Sequence, residues 1–207
     1  SDVKRPREFN LAGMGSMKSK LFLWGIAFII LCGPLRAVEN GDCLGCHEST
    51  QNENLKTYDS AHAVSVHADM ACTDCHSAIT EVPHPENLAP VNCGDCHDDA
   101  VKIYTHHGRQ PIGSDPDIPD CAACHGKHDI RAVTDKNSTV NPQNLPETCG
   151  RCHENIDLTE KHEILYGKAV EVYRSSVHGR AALGGVYVAA TCNDCHSTGG
   201  TAHRILG

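Results

Sequence analysis

Two stretches of the chain carry an ordered apolar pattern. From Leu21 to Cys32 twelve apolar residues follow Lys18 and Lys20 and lead into Gly33, Pro34 and Ala37. A bilayer span needs about 20 such residues, so the layout is that of a secretory signal cleaved after Ala37. An uncleaved anchor gains little length from Leu35, and acylation of Cys32 as a lipoprotein is disfavoured by the bulky Leu31 before it. Residues 1–16 carry no usable pattern, which a translation start at Met17 would explain. The second stretch is the stripe Leu165, Ala169, Tyr173 and Val177, whose i, i+4 spacing predicts a helix that Gly179 can end. Elsewhere the alternation is too weak to place a sheet.

Little remains from which to build a core. Aromatic residues make up 4% of the chain, and two proline-containing linkers run around Pro83 to Pro90 and Pro111 to Pro119. The cysteines point to what replaces it. Cys-x-x-Cys-His occurs six times, at Cys43/Cys46/His47, Cys72/Cys75/His76, Cys93/Cys96/His97, Cys121/Cys124/His125, Cys149/Cys152/His153 and Cys192/Cys195/His196. Paired cysteines also suit zinc, but zinc does not require a histidine directly after every second cysteine. Two cysteines at this spacing can form thioethers to the vinyl groups of one porphyrin, with the next histidine as proximal ligand. Twelve of the thirteen cysteines are used in this way, leaving only Cys32 and no structural disulfide.

The sequence therefore predicts six c-type haems. Porphyrins buried among so few side chains would supply the core through the same area-proportional hydrophobic term, with folding coupled to haem binding. The expected fold is mainly α with extensive loops and little regular structure, its short helices wrapped round a chain of closely stacked haems. Residues 1–37 are read as leader, 38–92 as a two-haem segment, 93–148 and 149–207 as two copies of a two-haem repeat, and 38–207 as one haem-cored unit.

The repeat is specific. Each copy runs from a Cys-Gly-x-Cys-His unit to a Tyr, then His-Gly-Arg, a second motif and a trailing His-x-Ile. Tyr104, His107-Gly108-Arg109 and His128 mark the first copy; Tyr173, His178-Gly179-Arg180 and His203 mark the second. From His107 to Cys121 and from His178 to Cys192 the step is 14 residues each time, and the second copy carries 15 extra residues ahead of its His-Gly-Arg. Ser65-Val66-His67 echoes Ser176-Val177-His178.

The sixth iron ligand decides the chemistry, because His or Met closes the iron whereas water or nothing leaves it reactive. Of Met14, Met17 and Met70 only Met70 lies beyond the leader. Nine histidines stand outside the motifs, enough for six irons with three to spare. The preferred distal set is His67, His84, His107, His128, His178 and His203. His84 sits between Pro83 and Pro85, whose fixed dihedrals would hold it. His62, His106 and His162 are read as the spare ones.

The leader contains six of the eighteen Lys and Arg and two of the twenty-six Asp and Glu, leaving 12 basic against 24 acidic residues and a net charge of -12. Nucleic acid is thereby disfavoured as a partner, and an acidic face could steer a basic redox protein. Tyr173 to Gly179 (Tyr-Arg-Ser-Ser-Val-His-Gly), Cys121 to Ile130 (Cys-Ala-Ala-Cys-His-Gly-Lys-His-Asp-Ile) and Cys72 to Pro85 with its Pro-His-Pro resemble segments of the multihaem c-type cytochromes of bacterial anaerobic respiration, including the tetrahaem and multihaem types associated with quinol dehydrogenases. The resemblance covers most of residues 41–205. It implies His178 and His128 as distal ligands and leaves His106 and His107 as alternatives, since Thr105-His106-His107 replaces Ser-x-His. No Cys-x-x-Cys-Lys motif occurs, so the resemblance does not extend to the lysine-ligated catalytic haem of ammonia-forming nitrite reductases.

The function implied is an exported electron carrier with low-potential bis-histidine haems, in the periplasm or at the outer surface. Its partners would be a membrane quinol-oxidising cytochrome b or other multihaem cytochromes. Two alternatives stand beside it. One is a reductase with one open haem acting on a small nitrogen or sulfur compound; the other is a filament in which a distal histidine such as His203 reaches a neighbouring subunit's haem.

Overall fold

The computed structural model describes residues 37–206 apart from 54, 58, 166 and 200. The predicted signal segment lies outside them. Among the described residues no helix is long and apolar enough to cross a membrane. In chain order the helices are α1 (Asn40–His47), α2 (Asp59–His62), α3 (Cys72–Cys75), a 3-10 turn (Cys93–Asp95), α4 (Asp98–Ile103), α5 (Cys121–His125), α6 (Leu145–His153), α7 (Ile156–Lys161), α8 (Ala169–Ser175), α9 (Val177–Leu183) and α10 (Cys192–His196). A two-residue hairpin, β1 (His106–His107) antiparallel to β2 (Gln110–Pro111), follows α4. The fold is thus mostly helical and short-elemented, with very little sheet.

Five of these helices and the 3-10 turn are the Cys-x-x-Cys-His motifs themselves. A four- or five-residue helix is too short to stabilise itself, so its ends must be satisfied locally. Acidic residues do this. Asp74 accepts from the Ala71 N–H at 2.8 Å, Asp194 from the Thr191 N–H at 2.7 Å, and Asp42 from the Glu39 N–H at 3.0 Å. Asp120 instead precedes α5 and accepts from the Ala123 N–H at 2.8 Å.

Side-chain packing is as thin as the composition implies. Among the described residues the buried apolar side chains are Pro146 of α6 and Val170, which is 3% exposed. Val170 sits on α8 against Gly150 of α6, where a β-carbon would come within 2.8 Å of its Cγ2. Gly94, at the same motif position in the first copy, meets Val101 of α4 in the same way, at 2.9 Å. In both copies the glycine of Cys-Gly-x-Cys thus leaves room for a valine from a later helix to lie close against the attachment turn.

Polar contacts do the rest. Between α5 and α6 the chain coils on itself: Asn141 donates to the Val133 carbonyl, Asn144 to those of Lys136 and Ser138, and Ser138 to that of Arg131. Thr139 then donates to the Cys124 carbonyl and Thr148 to the Thr139 carbonyl. This loop latches the fourth motif to the fifth. Ser138 and Asn141 are buried with their hydrogen bonds made, as buried polar groups must be.

The single helix expected through Leu165 to Val177 is broken. Ser176 adopts an extended conformation (φ -72°, ψ 168°), and its hydroxyl accepts from the Gly179 N–H at 3.1 Å, ending α8 and starting α9. A serine cap of this kind supplies the donor-satisfying oxygen that a helix start needs. Gly179 does not terminate a helix either. It lies buried inside α9, where any β-carbon would overlap the Tyr173 carbonyl at the end of α8. His162 and His178 consequently do not share one helix.

Candidate haem sites

Each repeat copy uses its tyrosine identically. Tyr104 donates to the Pro119 carbonyl at 2.8 Å and Tyr173 to the Ala190 carbonyl at 3.0 Å, in both cases two residues before the first cysteine of the next motif. Burial holds both phenols above their ordinary pKa, so both stay protonated donors. The tyrosine therefore ties the segment bearing His-Gly-Arg to the following attachment turn. In the first copy that segment is β1 and β2. Successive strand residues face opposite ways, and His107 is half-buried while His106 is exposed. In the second copy the same tripeptide lies in α9.

The histidine rings then sort into pairs. His47 faces His84 with ring centroids 6.0 Å apart, His76 faces His128 at 6.2 Å, and His97 faces His67 at 5.9 Å. His125 faces His203 at 6.0 Å and His153 faces His107 at 6.1 Å. In every pair one member belongs to a motif and the other does not. Two imidazoles sharing a metal, each through a bond of about 2 Å plus roughly 1 Å from nitrogen to ring centre, have centroids about 6 Å apart. Interplanar angles run from 10° to 66°, a spread that rotation about a metal–nitrogen axis permits and ring stacking does not. The residues present fit an iron held from both sides at five motifs.

The surroundings suit ligation. His47 Nδ1 lies 2.8 Å from the Leu55 carbonyl and His84 Nδ1 2.8 Å from the Pro85 carbonyl. Donation of Nδ1–H to a carbonyl fixes the tautomer and leaves Nε2 as a lone pair for metal. Burial first, and neighbouring imidazoles second, hold His76, His107, His125, His128 and His153 below the ordinary histidine range. That favours the neutral ring, which is the ligating form. His162 differs, because its Nε2 is engaged at 2.9 Å by Asp117, whose carboxylate also takes Lys161. Asp115, Asp117 and His162 cluster tightly enough to resemble a cation site, but the Lys161 ammonium already sits on both carboxylates. Among the described residues His62 and His106 face no motif histidine.

Consecutive motifs are also neighbours in space. The Cys72 thiol feels Cys43, the Cys121 thiol feels Cys93 and the Cys149 thiol feels Cys192, so the first cysteines within each of three motif pairs are neighbours. The last contact holds Cys149 protonated and draws Cys192 down to about 7. Between pairs, the Cys75 thiol feels Cys93 and Cys96, and the Cys124 thiol feels Cys152. The six attachment turns therefore follow one another in sequence order, joined alternately through first and second cysteines.

The second cysteine of each motif faces outward more than the first: Cys46, Cys75, Cys96, Cys152 and Cys195 are exposed, while Cys124 and all six first cysteines are half-buried. Cys46 still stands one turn from Cys43 on α1, the spacing that attachment of one porphyrin needs. An outward thiol is also free to reach a vinyl group.

The sixth motif stands apart in its histidine. His196 is exposed, and among the described residues no imidazole faces it at the spacing of the five pairs; the same holds for His178 on α9. Sequence reasoning selected every histidine that pairs but could not say which motif each would meet. It also passed over the capping aspartates and the two tyrosine anchors, although Tyr104 and Tyr173 were visible as repeat positions.

Residues 58–126 match the family described as cytochrome c7 and related cytochrome c. Two curated relatives, the C-type polyheme cytochromes OmcB of Geobacter sulfurreducens strains DL-1/KN400 and ATCC 51573/DSM 12127/PCA, are each 27% identical over 162 residues, covering 69% of this chain. The match spans 21% of each relative, so the chain corresponds to about a fifth of their length. No solved structure matches.

Proposed function

We propose that this multihaem c-type cytochrome holds six haems on its six motifs and serves as an exported electron conduit in anaerobic or extracellular respiration. The observation behind this is the set of five histidine pairs, each joining a motif histidine to one from elsewhere in the chain. The axial assignments are His47 with His84, His76 with His128, His97 with His67, His125 with His203 and His153 with His107.

When bound, each haem supplies a one-electron ferric/ferrous couple. The polypeptide sets what that couple can do. A histidine on both faces leaves no position for substrate, and the absence of a methionine ligand keeps the potentials low. The alternating cysteine contacts keep neighbouring centres adjacent, as transfer from one to the next requires. The net charge of -12 beyond the leader repels anionic surfaces and favours a basic redox partner. Periplasmic or outer-surface placement follows from the leader pattern, and the partners are a quinol-oxidising membrane cytochrome b or other multihaem cytochromes.

The test is haem counting by intact mass together with low-temperature EPR of the ferric holoprotein. The expected result is six haems, at least five of them low-spin and unmoved by nitrite, hydroxylamine or sulfite. Fewer than six haems, two or more high-spin irons, or spectral shifts with those compounds at several haems would overturn the assignment.

A further inference from the structure

The pairing follows a rule. His67 precedes the second motif and faces His97 of the third; His107 precedes the fourth and faces His153 of the fifth. The first and second motif pairs thus each donate one histidine forward, to the first motif of the next pair. Each also receives one backward: His128, after the fourth motif, faces His76 of the second, and His203, after the sixth, faces His125 of the fourth. The first motif is the exception. His84 of its own pair folds back onto His47 and closes that end.

By this rule His178, which precedes the sixth motif, is a forward donor whose acceptor lies outside these residues. His196 is likewise the proximal ligand of an iron whose backward donor lies outside them. One unused donor and one unfilled acceptor stand at the same end of the array, on α9 and α10. These elements are tied together, since α9 packs on α8, α8 on α6, and α10 on α6. The connection between α9 and α10 exposes Leu183, Tyr187 and Val188, which are 70%, 68% and 93% accessible.

We propose that this end pairs with the same end of a second copy of the chain, His178 of each protomer supplying the distal ligand to the haem on Cys192, Cys195 and His196 of the other. A two-fold axis requires a surface that complements itself, and a donor beside an acceptor satisfies that requirement. Because the His47/His84 end is closed, copies cannot add head to tail. The product is a closed dimer with a twelve-haem array, not a filament. His203, considered above as the intersubunit ligand, is engaged with His125 and is not the donor.

The proposal rests on the bis-histidine reading above, and the experiment separates the two. Light scattering and ferric EPR are run on the holoprotein across a dilution series, then on His178→Ala. The wild type is expected to be a dimer with every iron low-spin, and dilution to monomer should turn one iron in six high-spin. His178→Ala should be a monomer at all concentrations with the same one-sixth high-spin fraction. A wild-type monomer with six low-spin irons, lost in His178→Ala, would mean own-chain ligation and overturn the exchange. A monomer with one high-spin iron in both proteins would mean an open site and also overturn it, as would a His178→Ala dimer with all irons low-spin. Failure of His178→Ala to fold leaves the wild-type dilution series to decide. In every case the five remaining irons report on the bis-histidine reading independently.

Discussion

Replacing His203 by alanine tests the ligand assignment at a place where the rest of the structure should stay put. The tail that carries it is held by backbone bonds, Leu206 N–H to the His196 carbonyl at 2.6 Å and Thr198 N–H to the Arg204 carbonyl at 3.2 Å. Truncating the imidazole removes none of them. His203 lies 6.0 Å from His125, ring centre to ring centre, so the iron on Cys121 and Cys124 should lose its sixth ligand and the other five should keep theirs. The expected signal is a high-spin component of one sixth of the ferric EPR intensity, above whatever the wild type shows. Tyr104 is the nearest alternative ligand, its ring 6.3 Å from that of His203. It cannot substitute readily, because burial keeps the phenol protonated and its hydroxyl is committed to the Pro119 carbonyl. A second variant makes the test a cycle: with Cys121 and Cys124 both replaced by alanine, five haems remain and His203→Ala should add no further high-spin iron. If it does add one, His203 serves a different haem and the pairing argument fails.

Gly150→Ala in the holoprotein should lower stability by up to about 2 kcal/mol, the overpacking cost of about 1–3 kcal/mol against Val170 less about 1 kcal/mol of helix propensity. In a Val170→Ala background the same change should be neutral or stabilising, and equal effects in the two backgrounds by urea titration would refute the contact. Asp117→Asn should remove an acid-side dependence: Lys161 first and His162 second hold the Asp117 carboxyl below the usual range, so its contribution is present above the ordinary carboxylate pKa and fades as pH falls through the folded value. Urea midpoints of wild type and variant should differ at pH 7 and converge near pH 2; a constant difference would exclude this origin. A haem-free chain with all twelve motif cysteines changed to serine should give a narrowly dispersed NMR spectrum, because Pro146 and Val170 are the only buried apolar side chains among the described residues; a dispersed spectrum would show a core that does not depend on porphyrin.

The Cys-x-x-Cys-His turns stood out in the sequence because covalent haem attachment demands a fixed spacing, and the poverty of the apolar pattern correctly announced a fold of short helices. Spacing says nothing of burial, however, so the outward exposure of five of the six second cysteines, Cys124 being the exception, could not be read from the motifs. The preference for His107 over His106 was open in the sequence. In the structure strand alternation, within a hairpin too short to give a sequence signal, leaves His106 exposed and turns His107 toward His153. The broken helix was legible in principle, since Ser176 stands as a cap before Val177, but the stripe through Tyr173 and Val177 keeps its period across the break and hides it. Spacing could not reveal which histidine meets which motif, because the partners come from neighbouring motif pairs and are joined by tertiary contacts. His67 and His97 are 30 residues apart, His76 and His128 are 52, and His125 and His203 are 78.

Those separations bear on how such a thin polypeptide can hold one arrangement. A chain whose described part buries only Pro146 and Val170 among its apolar side chains has little packing with which to reject alternative registers. If each motif pair closed its own two irons, the pairs would be independent beads, free to turn against one another. Forward and backward donation removes that freedom. Between the second and third pairs, His107 crosses one way and His203 the other, while Tyr104 fixes the forward donor to the turn before Cys121. Two ligand bonds in opposite directions, together with the polar latch from Cys124 to Thr148, restrain both distance and rotation between adjacent pairs. Under the axial assignments proposed above, interlocked ligation would do for this array what side-chain packing does for an ordinary core, and would keep successive centres at a fixed separation, the property on which a conduit depends.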